Sequence, residues 1–332
     1  MDDKEMTMRE ALNLALDQAL QSDERVFLLG EDIADPGASG PTAGLSTKYG
    51  HDRVLDTPIS EAAIVGAAIG AAIDGMLPVA EIMIMDFIGI AADQLINNAA
   101  KLRFMTAGRT TAPITIRTQV YAGLATGATH SQSLEAWFMH IPGMKVIVPS
   151  TPRDGKGLLA SAIFDEDPCL FIETIRLQGK KGPVPLDPGF RIPLGQADIK
   201  RPGNDVTLIS YGRAVHDALA AAETLNGQDI SAEVVDLRTL VPLDVDTIVE
   251  SVRRTRRAVI VHDAVQFAGP GAEIAAILQA ELFGELAAPV ERVAARFVPS
   301  PAAAALEAQV YPSPQRIVDA AQRTLERAGA HG

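Results

Sequence analysis

The sequence predicts an α/β fold built from two doubly wound domains. Short, almost wholly apolar segments such as LPVAEIMI (77–84) alternate along the chain with longer segments of helical periodicity. The apolar segments lack the polar alternation of a half-exposed strand, so we expect parallel strands that helices cover on both faces. The alternation stops in a stretch rich in Gly, Pro and Lys and then starts again, which indicates a second domain.

The domain limits follow from that change in composition. At 332 residues the chain has the length of one large or two medium domains. From Leu177 to Pro202 the sequence LQGKKGPVPLDPGFRIPLGQADIKRP has no apolar periodicity, which is typical of an exposed linker. We therefore predict a first domain at residues 1–185, a linker at 186–202 and a second domain at 203–332.

The elements of the first domain are predicted in order from caps and apolar runs. Thr7 and Glu10 have the spacing of a capping box ahead of apolar residues at helical spacing, which predicts a helix there. Buried strands are predicted at 25–32, 77–84, 112–118, 145–150 and 168–173. Helices are predicted between them at 62–73, 90–105, 131–140 and 153–164.

The second domain repeats the pattern with fewer elements. Apolar strand segments are predicted at 205–212, 231–244 and 258–263. Helices are predicted to end near Leu225 and near Arg254, and a third to begin at Gly271. In doubly wound sheets ligands bind at the carboxyl ends of the strands, so functional residues are expected there.

Composition and charge narrow the class of protein. A net charge of −13 and a pI near 4.9 disfavour nucleic acid or an anionic membrane as a partner. The acidic start MDDKEM is unlike a secretory signal, and the apolar run 62–73 is too short to span a bilayer. Cys169 is the single cysteine, so neither an intrachain disulfide nor a cysteine metal cluster is possible. The expectation is a cytoplasmic enzyme or enzyme subunit.

Glu61 stands at the start of an unusually apolar helix, in DTPISEAAIVGAAIGAAIDGM (56–76). Twelve residues from Ala62 to Ile73 carry no polar side chain, which predicts a fully buried helix with Ser60 as its N-cap. Two interpretations stay open. A first-turn Glu favoured by the helix dipole is the commoner one on position alone. The apolar surroundings favour a desolvated carboxyl that holds or shares a proton.

His130 lies in GLATGATHSQS, between small residues and a predicted helix. At a helix start a His acts as acid, base or hydrogen-bond donor, although a lone His is more often structural. No G-x-S-x-G pattern surrounds Ser131, so it is not a triad nucleophile. Glu31 and Asp32 follow a strand without EF-hand spacing, and a solvated loop is the favoured interpretation.

Glycine patterns give no phosphate-binding loop. Neither G-x-G-x-x-G nor G-x-x-x-x-G-K-[ST] occurs in the sequence. Gly66 and Gly70 are better explained as small residues that permit close helix packing. No paired histidines with zinc-ligand spacing are present either.

Several stretches spread over the whole chain carry a family resemblance. They are VFLLGED (26–32), RVLDTPISE (53–61), AADQLINNAAKLRFM (91–105), THSQSLEAWF (129–138), PGMKVIVPSTPRDGKGLL (142–159), VTLISYGR (206–213) and AEVVDLRTLVPLD (232–244). Together they resemble the beta subunits of thiamine-diphosphate-dependent dehydrogenases of the pyruvate, branched-chain 2-oxo acid and acetoin complexes. EIMIMDF and HSQSLEAWFMHIPG look most like the acetoin dehydrogenase beta subunit.

The resemblance implies half of an active site. It implies an N-terminal thiamine-diphosphate pyrimidine-binding domain and a C-terminal transketolase-type domain. The diphosphate group and its Mg²⁺ are then held by an alpha subunit in an alpha2-beta2 heterotetramer with a beta–beta contact, which accounts for the missing phosphate loop. A lipoyl-bearing dihydrolipoyl acyltransferase is the implied acceptor of the acyl group.

The resemblance also assigns roles to individual residues. Glu61 matches the glutamate that hydrogen-bonds a pyrimidine ring nitrogen and so activates the thiazolium carbon. Phe87 matches the aromatic residue stacked on the aminopyrimidine, and His130 matches the histidine implicated in reductive acylation of the lipoyl group. Glu31 matches an acid of the polar tunnel between the two active sites. Positions that bind a structural potassium ion in some members correspond to Ile114, Ala162, Ile163, Asp165 and Asp167.

Departures from the family pattern leave the substrate open. Val120 and Tyr121 stand where many members have Gly-Gly, and Ile90 stands where pyruvate-type members often have Gln. The prediction is therefore cleavage of acetoin or a related diketone or 2-oxo acid. The alternatives are a pyruvate or branched-chain 2-oxo acid dehydrogenase beta subunit and a catalytically silent assembly subunit. The joint presence of Glu61, Phe87 and His130 disfavours the silent one.

Overall fold

The computed structural model describes residues 3–34 and 40–328. Its internal contacts divide the chain into two compact units. The first unit comprises Met1–Tyr121 and Trp137–Leu194, and the second comprises Ala122–Ala136 and Gly195–Gly332. The short segment Ala122–Ala136, which carries His130, therefore packs with the C-terminal part of the chain rather than with its sequence neighbours.

The first unit is built on a parallel sheet. Its described strands are β1 (Asp3–Thr7), β2 (Val26–Gly30), β3 (Val54–Asp56), β4 (Leu77–Ile84), β5 (Thr115–Val120), β6 (Lys145–Ile147), β7 (Cys169–Thr174) and β8 (Lys181–Pro185). Six of them pair in the order β3-β2-β4-β5-β7-β6, every pair parallel, whereas β1 and β8 form a separate antiparallel pair. The non-sequential order requires crossover helices and confirms the predicted doubly wound sheet.

Helices cover that sheet. They are α1 (Met8–Ser22), α2 (Leu45–Tyr49), α3 (Glu61–Ile73), α4 (Ala100–Met105), α5 (Glu135–Met139) at the boundary of the units, and α6 (Pro152–Ile163). The predicted capping box starts α1, since Thr7 Oγ1 accepts from the Glu10 amide at 3.2 Å and Glu10 Oε2 accepts from the Thr7 amide at 2.7 Å. Helices α1 and α6 pack together over a core of apolar side chains from β2, β6 and β7.

Three helix predictions need correction. The segment 90–105 is continuously helical from residue 92, but over Gln94–Ala99 it is a π-helix that leads directly into α4. The segment 131–140 is helical only over α5, because residues 131–134 form an extended loop. Helix α3 begins and ends where predicted but is not fully buried. The predictions differ from the structure because tertiary contacts override local helix propensity, and the apolar periodicity of a segment does not reveal those contacts.

The open face of α3 is apolar. Ala62, Ala63, Ala67 and Gly70 are exposed, and Ile73 is 50% exposed. A Cβ atom added to Gly70 would meet nothing within 4 Å, so the close packing predicted for this glycine is absent among the described residues. An apolar helix face left uncovered in this way is typical of a protein–protein interface.

The second unit has its own sheet and core. Its described strands are β9 (Asp198–Arg201), β10 (Val206–Ser210), β11 (Ala232–Asp236), β12 (Thr239–Val241), β13 (Ala258–Val265) and β14 (Glu291–Ala295). Five pair in the order β14-β13-β10-β11-β9, all parallel except the antiparallel edge strand β9. The helices are α7 (Ala214–Asn226), α8 (Val245–Thr255), α9 (Pro270–Glu281), α10 (Ala304–Glu307) and α11 (Pro314–Ala328). Strand β9 lies inside the segment predicted as a linker, where its polar sequence DIKR gave no strand signal.

No helix in the described ranges is both long and apolar enough to cross a membrane.

Candidate active site

The carboxyl ends of β2 and β3 are tied together at one edge of the first-unit sheet. The Thr57 amide donates to the carbonyl oxygen of Gly30 at 2.9 Å, just beyond the last paired residues of the two strands. Gly30 also approaches β4 closely, since a Cβ atom on it would lie 2.9 Å from the carbonyl oxygen of Glu81. This arrangement holds Glu31, the residue after β2, beside the short loop that leads to Glu61.

Glu61 is the first residue of α3 and is 5% exposed. Ser60 has the N-cap position, but its hydroxyl donates to the Ile59 carbonyl at 2.7 Å and does not cap the helix, contrary to the prediction. No hydrogen bond or ion pair engages the Glu61 carboxylate within the described part of the chain. The helix N-terminus favours its negative charge, while its oxygens stay available to a ligand.

Glu31 lies close enough to Glu61 for their charges to interact. Partial burial raises the pKa of the Glu31 carboxyl above its ordinary value, and the neighbouring carboxylates of Glu61 and Asp32 raise it further. The two acids predicted as site residues in this unit are thus neighbours in space. A proton held on one changes the charge that the other experiences.

Phe87 belongs to the same edge. It lies on a 3-10 turn, Met85–Gly89, that directly follows β4, and its side chain is partly exposed. Glu31, Glu61 and Phe87 therefore follow three neighbouring strands, β2, β3 and β4, at their carboxyl ends. This is the position at which doubly wound sheets bind ligands.

A polar cavity of about 380 Å³ opens next to Glu31. The cavity is lined by α1, by residues 40–42, by the ends of β2, β4 and β5 and by the segment after β7. Its polar lining residues include Arg9, Glu31, Asp32, Glu81, Gln119 and Tyr121. Burial raises the pKa of the Tyr121 phenol, and the Glu81 and Glu173 carboxylates raise it further, so its hydroxyl stays a donor at neutral pH. The Tyr121 side chain thus contributes a hydroxyl donor to the wall of this cavity.

A buried ion triad beneath the cavity was not predicted from the sequence. Arg117 is 1% exposed and contacts Glu81 at 2.6 Å and Glu173 at 2.5 Å, across strands β4, β5 and β7. Gln178 Nε2 donates to the second oxygen of Glu173 at 2.7 Å. The available signal was one charged residue within each of three apolar strands. The triad fixes the wall of the cavity, because removing Arg117 leaves two buried carboxylates without their cation.

His130 lies in the second unit, in the loop before α5. The prediction that it starts a helix is wrong, since α5 begins at Glu135. Its Nδ1 atom is 3.1 Å from the hydroxyl of Thr129, and its carbonyl accepts from the hydroxyl of Thr126 at 2.9 Å. The imidazole is partly exposed, as a group that meets a ligand or a partner must be.

Glu135, at the start of α5, is a titratable residue that sequence patterns did not single out. Burial raises the pKa of its carboxyl to about 7, although the hydroxyl of Tyr211, which donates to its Oε1 atom at 2.7 Å, acts in the opposite direction. Its other oxygen has no hydrogen-bond partner in the described structure. Tyr211 in turn stacks on the buried His262, with ring centroids 6.1 Å apart.

The positions predicted for potassium lie on three adjoining segments of the first unit. They are Ile114 before β5, Ala162 and Ile163 at the end of α6, and Asp165 and Asp167 in the loop before β7. Lys145 Nζ contacts both carboxylate oxygens of Asp165, at 2.6 and 2.7 Å, and Arg103 Nε donates to Asp167 at 2.6 Å. Among the described side chains, no cluster of three or more His, Cys, Asp or Glu could hold a metal ion. Backbone carbonyls are therefore the ligands available there.

Comparison with known proteins places these features in a family. The transketolase pyrimidine-binding domain model matches residues 4–179, and the transketolase C-terminal domain model matches residues 195–317. The acetoin:2,6-dichlorophenolindophenol oxidoreductase beta subunit of Cupriavidus necator is 46% identical over 99% of this chain and 99% of its own length. The chain belongs to the family of beta subunits of thiamine-diphosphate-dependent 2-oxo acid and acetoin dehydrogenases. The predicted resemblance is confirmed.

Other relatives of this beta subunit span both branches of the family. The corresponding acetoin oxidoreductase subunit of Bacillus subtilis is 45% identical over 98% of this chain and 97% of its own length. The mitochondrial pyruvate dehydrogenase E1 component subunit beta-2 of Oryza sativa subsp. japonica is 46% identical, over 98% and 88% respectively. A solved split gene transketolase, in an inactive beta4 tetramer, superposes with a TM-score of 0.78 over 97% of this chain and 99% of that one, at 24% identity. That likeness confirms the fold.

Proposed function

We propose that this beta subunit forms part of a thiamine-diphosphate-dependent dehydrogenase that cleaves acetoin, or a related diketone or 2-oxo acid, and transfers the acyl group to a lipoyl carrier. The observation that carries the proposal is the Glu61 carboxylate. It is buried at the carboxyl edge of the sheet and, among the described residues, has no hydrogen-bond or ion-pair partner. Burial without a partner is costly for a carboxylate unless a ligand supplies the missing hydrogen bond.

The residues present fit the pyrimidine half of the cofactor. Glu61 offers an acceptor, or when protonated a donor, to a ring nitrogen, and Phe87 offers an aromatic face beside it. Glu31 lies close enough to Glu61 that the Glu61 charge raises the pKa of the Glu31 carboxyl. When bound, thiamine diphosphate supplies the carbon nucleophile and the electron sink for acyl cleavage. This chain contributes binding, orientation and a proton position.

His130 is proposed to act at the acyl-transfer step. A partly exposed imidazole is suited to give a proton to a sulfur of the lipoyl disulfide as the acyl group is transferred. The acceptor in this proposal is the lipoyl group of a dihydrolipoyl acyltransferase. Support comes from the family membership and from the accessible position of the loop in the second unit.

The enzyme is proposed to be active only with an alpha subunit, in an alpha2-beta2 heterotetramer that also has a beta–beta contact. The exposed apolar face of α3 supports a heterotetramer, because without a partner subunit these apolar side chains face water. The face also lies on the helix that begins at Glu61. The alpha subunit is proposed to hold the diphosphate group and Mg²⁺.

We propose a cytoplasmic location, as expected from the sequence. The proposed domain limits stay at residues 1–185 and 203–332, with a linker at 186–202.

A potassium ion is proposed at the carbonyl oxygens of Ile114, Ala162, Ile163, Asp165 and Asp167. The side-chain carboxylates of both aspartates are neutralised by Lys145 and Arg103, so any affinity must come from the carbonyls. The melting temperature should therefore be higher in KCl than in choline chloride of equal ionic strength. Equal melting temperatures in the two salts would exclude the ion.

Pyruvate is a second candidate for the substrate, beside acetoin. Identity of 46% to a pyruvate dehydrogenase beta subunit equals that to an acetoin oxidoreductase beta subunit. Co-purification with the alpha subunit and assay of acetoin against pyruvate, with a dye as electron acceptor, separates the two. We expect the higher kcat/KM for acetoin. Preferential turnover of pyruvate would replace the acetoin assignment, and absence of turnover with any of these substrates would favour a silent assembly subunit.

A further inference from the structure

The loop that carries His130 is held by a carboxylate from a distant part of the sequence. Glu307, at the end of α10, is 3% exposed. Its Oε2 atom accepts from the Ala125 amide at 2.6 Å, and its Oε1 atom accepts from the Gly123 amide at 3.1 Å and from the Ser300 hydroxyl at 3.1 Å. A buried carboxylate with three donors is a strong, directional anchor.

The loop backbone is shaped to present those two amides. Gly123 and Ala125 both have positive φ, +84° and +57°, and both of their amides donate to the Glu307 carboxylate. Ala125 adopts a left-handed conformation that costs a residue with a Cβ atom about 1 kcal/mol or more. The Glu307 carboxylate compensates for that cost in the folded loop.

A second anchor lies on the other side of His130. The Tyr311 hydroxyl donates to the carbonyl oxygen of Ser131 at 2.9 Å. The hydroxyl of Thr126 donates to the carbonyl of His130 itself, which closes the loop internally. The histidine thus lies between one fixed point at residues 123–125 and another at residue 131. Displacement of either fixed point moves the imidazole.

We propose that Glu307 is a positioning residue for His130 and thereby controls acyl transfer to the lipoyl group. This inference rests on the function proposed above for His130. Glu307 does not touch the reacting atoms; it sets where the imidazole stands. Replacement by Gln leaves a single acceptor oxygen for two backbone amides, so one amide faces an NH₂ group and the loop loses its fixed point.

The test compares Glu307→Gln with wild type in the assembled alpha–beta enzyme, with the exposed Glu281→Gln as a matched control. Acylation of a lipoyl domain should fall by about a hundredfold, the order expected when a catalytic group is misplaced by 1 Å. Dye-linked substrate oxidation, which bypasses the lipoyl group, should change by less than about threefold. Hydrogen exchange of residues 122–131, measured by mass spectrometry, should become faster. Glu281→Gln should change none of the three.

Each other outcome overturns the proposal. Unchanged acylation, with or without faster exchange, shows that Glu307 does not position His130. An equal fall in acylation and dye reduction shows a general structural role. If Glu307→Gln does not fold, Tyr311→Phe takes its place, because it removes the hydroxyl that donates to the Ser131 carbonyl. This variant must show the same selective loss of acylation, although the loss should be smaller. His130→Ala is measured in parallel: if it acylates normally, the function proposed for His130 fails, whatever Glu307 does.

Discussion

Glu61 and Glu135 are both buried acids at helix starts, yet their surroundings differ. The Glu61 carboxylate has no hydrogen-bond partner among the described residues, whereas one oxygen of Glu135 accepts from the Tyr211 hydroxyl. A hydrogen-bond partner within the chain indicates a structural carboxylate, because the fold already meets part of its hydrogen-bonding requirement. A carboxylate without one is available for chemistry. The distinction separates a site residue from a structural one more clearly than burial does.

Glu135 makes stability depend on pH in a defined direction. The pKa of its carboxyl is raised from 4.5 to about 7 in the folded chain, so between these values the folded state binds more protons than the unfolded state. Its contribution to stability is therefore present at low pH and lost as pH rises through about 7. Glu135→Gln keeps the acceptor for Tyr211 and removes this loss.

Chemical denaturation at pH 5 and pH 8 checks the effect. Relative to wild type, Glu135→Gln should gain roughly 3 kcal/mol of unfolding free energy between pH 5 and pH 8. The exposed Glu281→Gln should show no such pH-dependent gain. If the unfolding free energies of Glu135→Gln and wild type differ by the same amount at pH 5 and pH 8, the raised pKa of Glu135 is contradicted.

At the scale of elements, α3 combines two functions. Its first residue supplies the carboxylate, and its exposed apolar face, with Ala63, Ala67 and Ile73, offers a surface for a partner subunit. One rigid helix can therefore couple the site to assembly.

A charge on that face should prevent assembly without unfolding the chain. Ala67 is exposed, so Ala67→Arg should leave the melting temperature of the isolated beta subunit nearly unchanged, because no core contact is lost. In the complex the charge would be buried without a partner, which costs several kcal/mol. Light scattering after gel filtration with the alpha subunit should show loss of the heterotetramer. Ala280→Arg, exposed on α9, is the comparison variant; equal assembly of both would refute the role of α3.

At the scale of the whole molecule, the sequence was informative wherever the signal was local. The limits of β4 were predicted to the residue, because LPVAEIMI is a continuous apolar segment. Those of α3 were predicted to within one residue, because Glu61 marks its start and Gly75 follows its end. Strand β9 was missed because it is polar and lies at a sheet edge. The Glu307 anchor was also missed: it joins residues 184 positions apart, and no local pattern encodes that contact. The roles of Glu61, Phe87 and His130 came from family resemblance, and geometry alone does not assign them.

The division of the cofactor between two chains gives a prediction for the isolated subunit. The sequence contains no phosphate-binding glycine loop, so this chain is expected to contact chiefly the pyrimidine end. Isothermal titration calorimetry of thiamine diphosphate with Mg²⁺ should therefore show weak binding to the beta subunit alone and tight binding after the alpha subunit is added. Tight binding to the beta subunit alone would contradict the shared site.

The central claim is that Glu61 is the proton-sharing carboxyl of a thiamine-diphosphate site. Dye-linked turnover of acetoin by the reconstituted alpha–beta enzyme carrying Glu61→Gln tests it most directly, with the exposed Glu24→Gln as control. We predict that kcat falls by about a hundredfold or more. The melting temperature and assembly should stay as in wild type, because Glu61 has no hydrogen bond to lose within residues 3–34 and 40–328. Turnover within about twofold of wild type would contradict the claim.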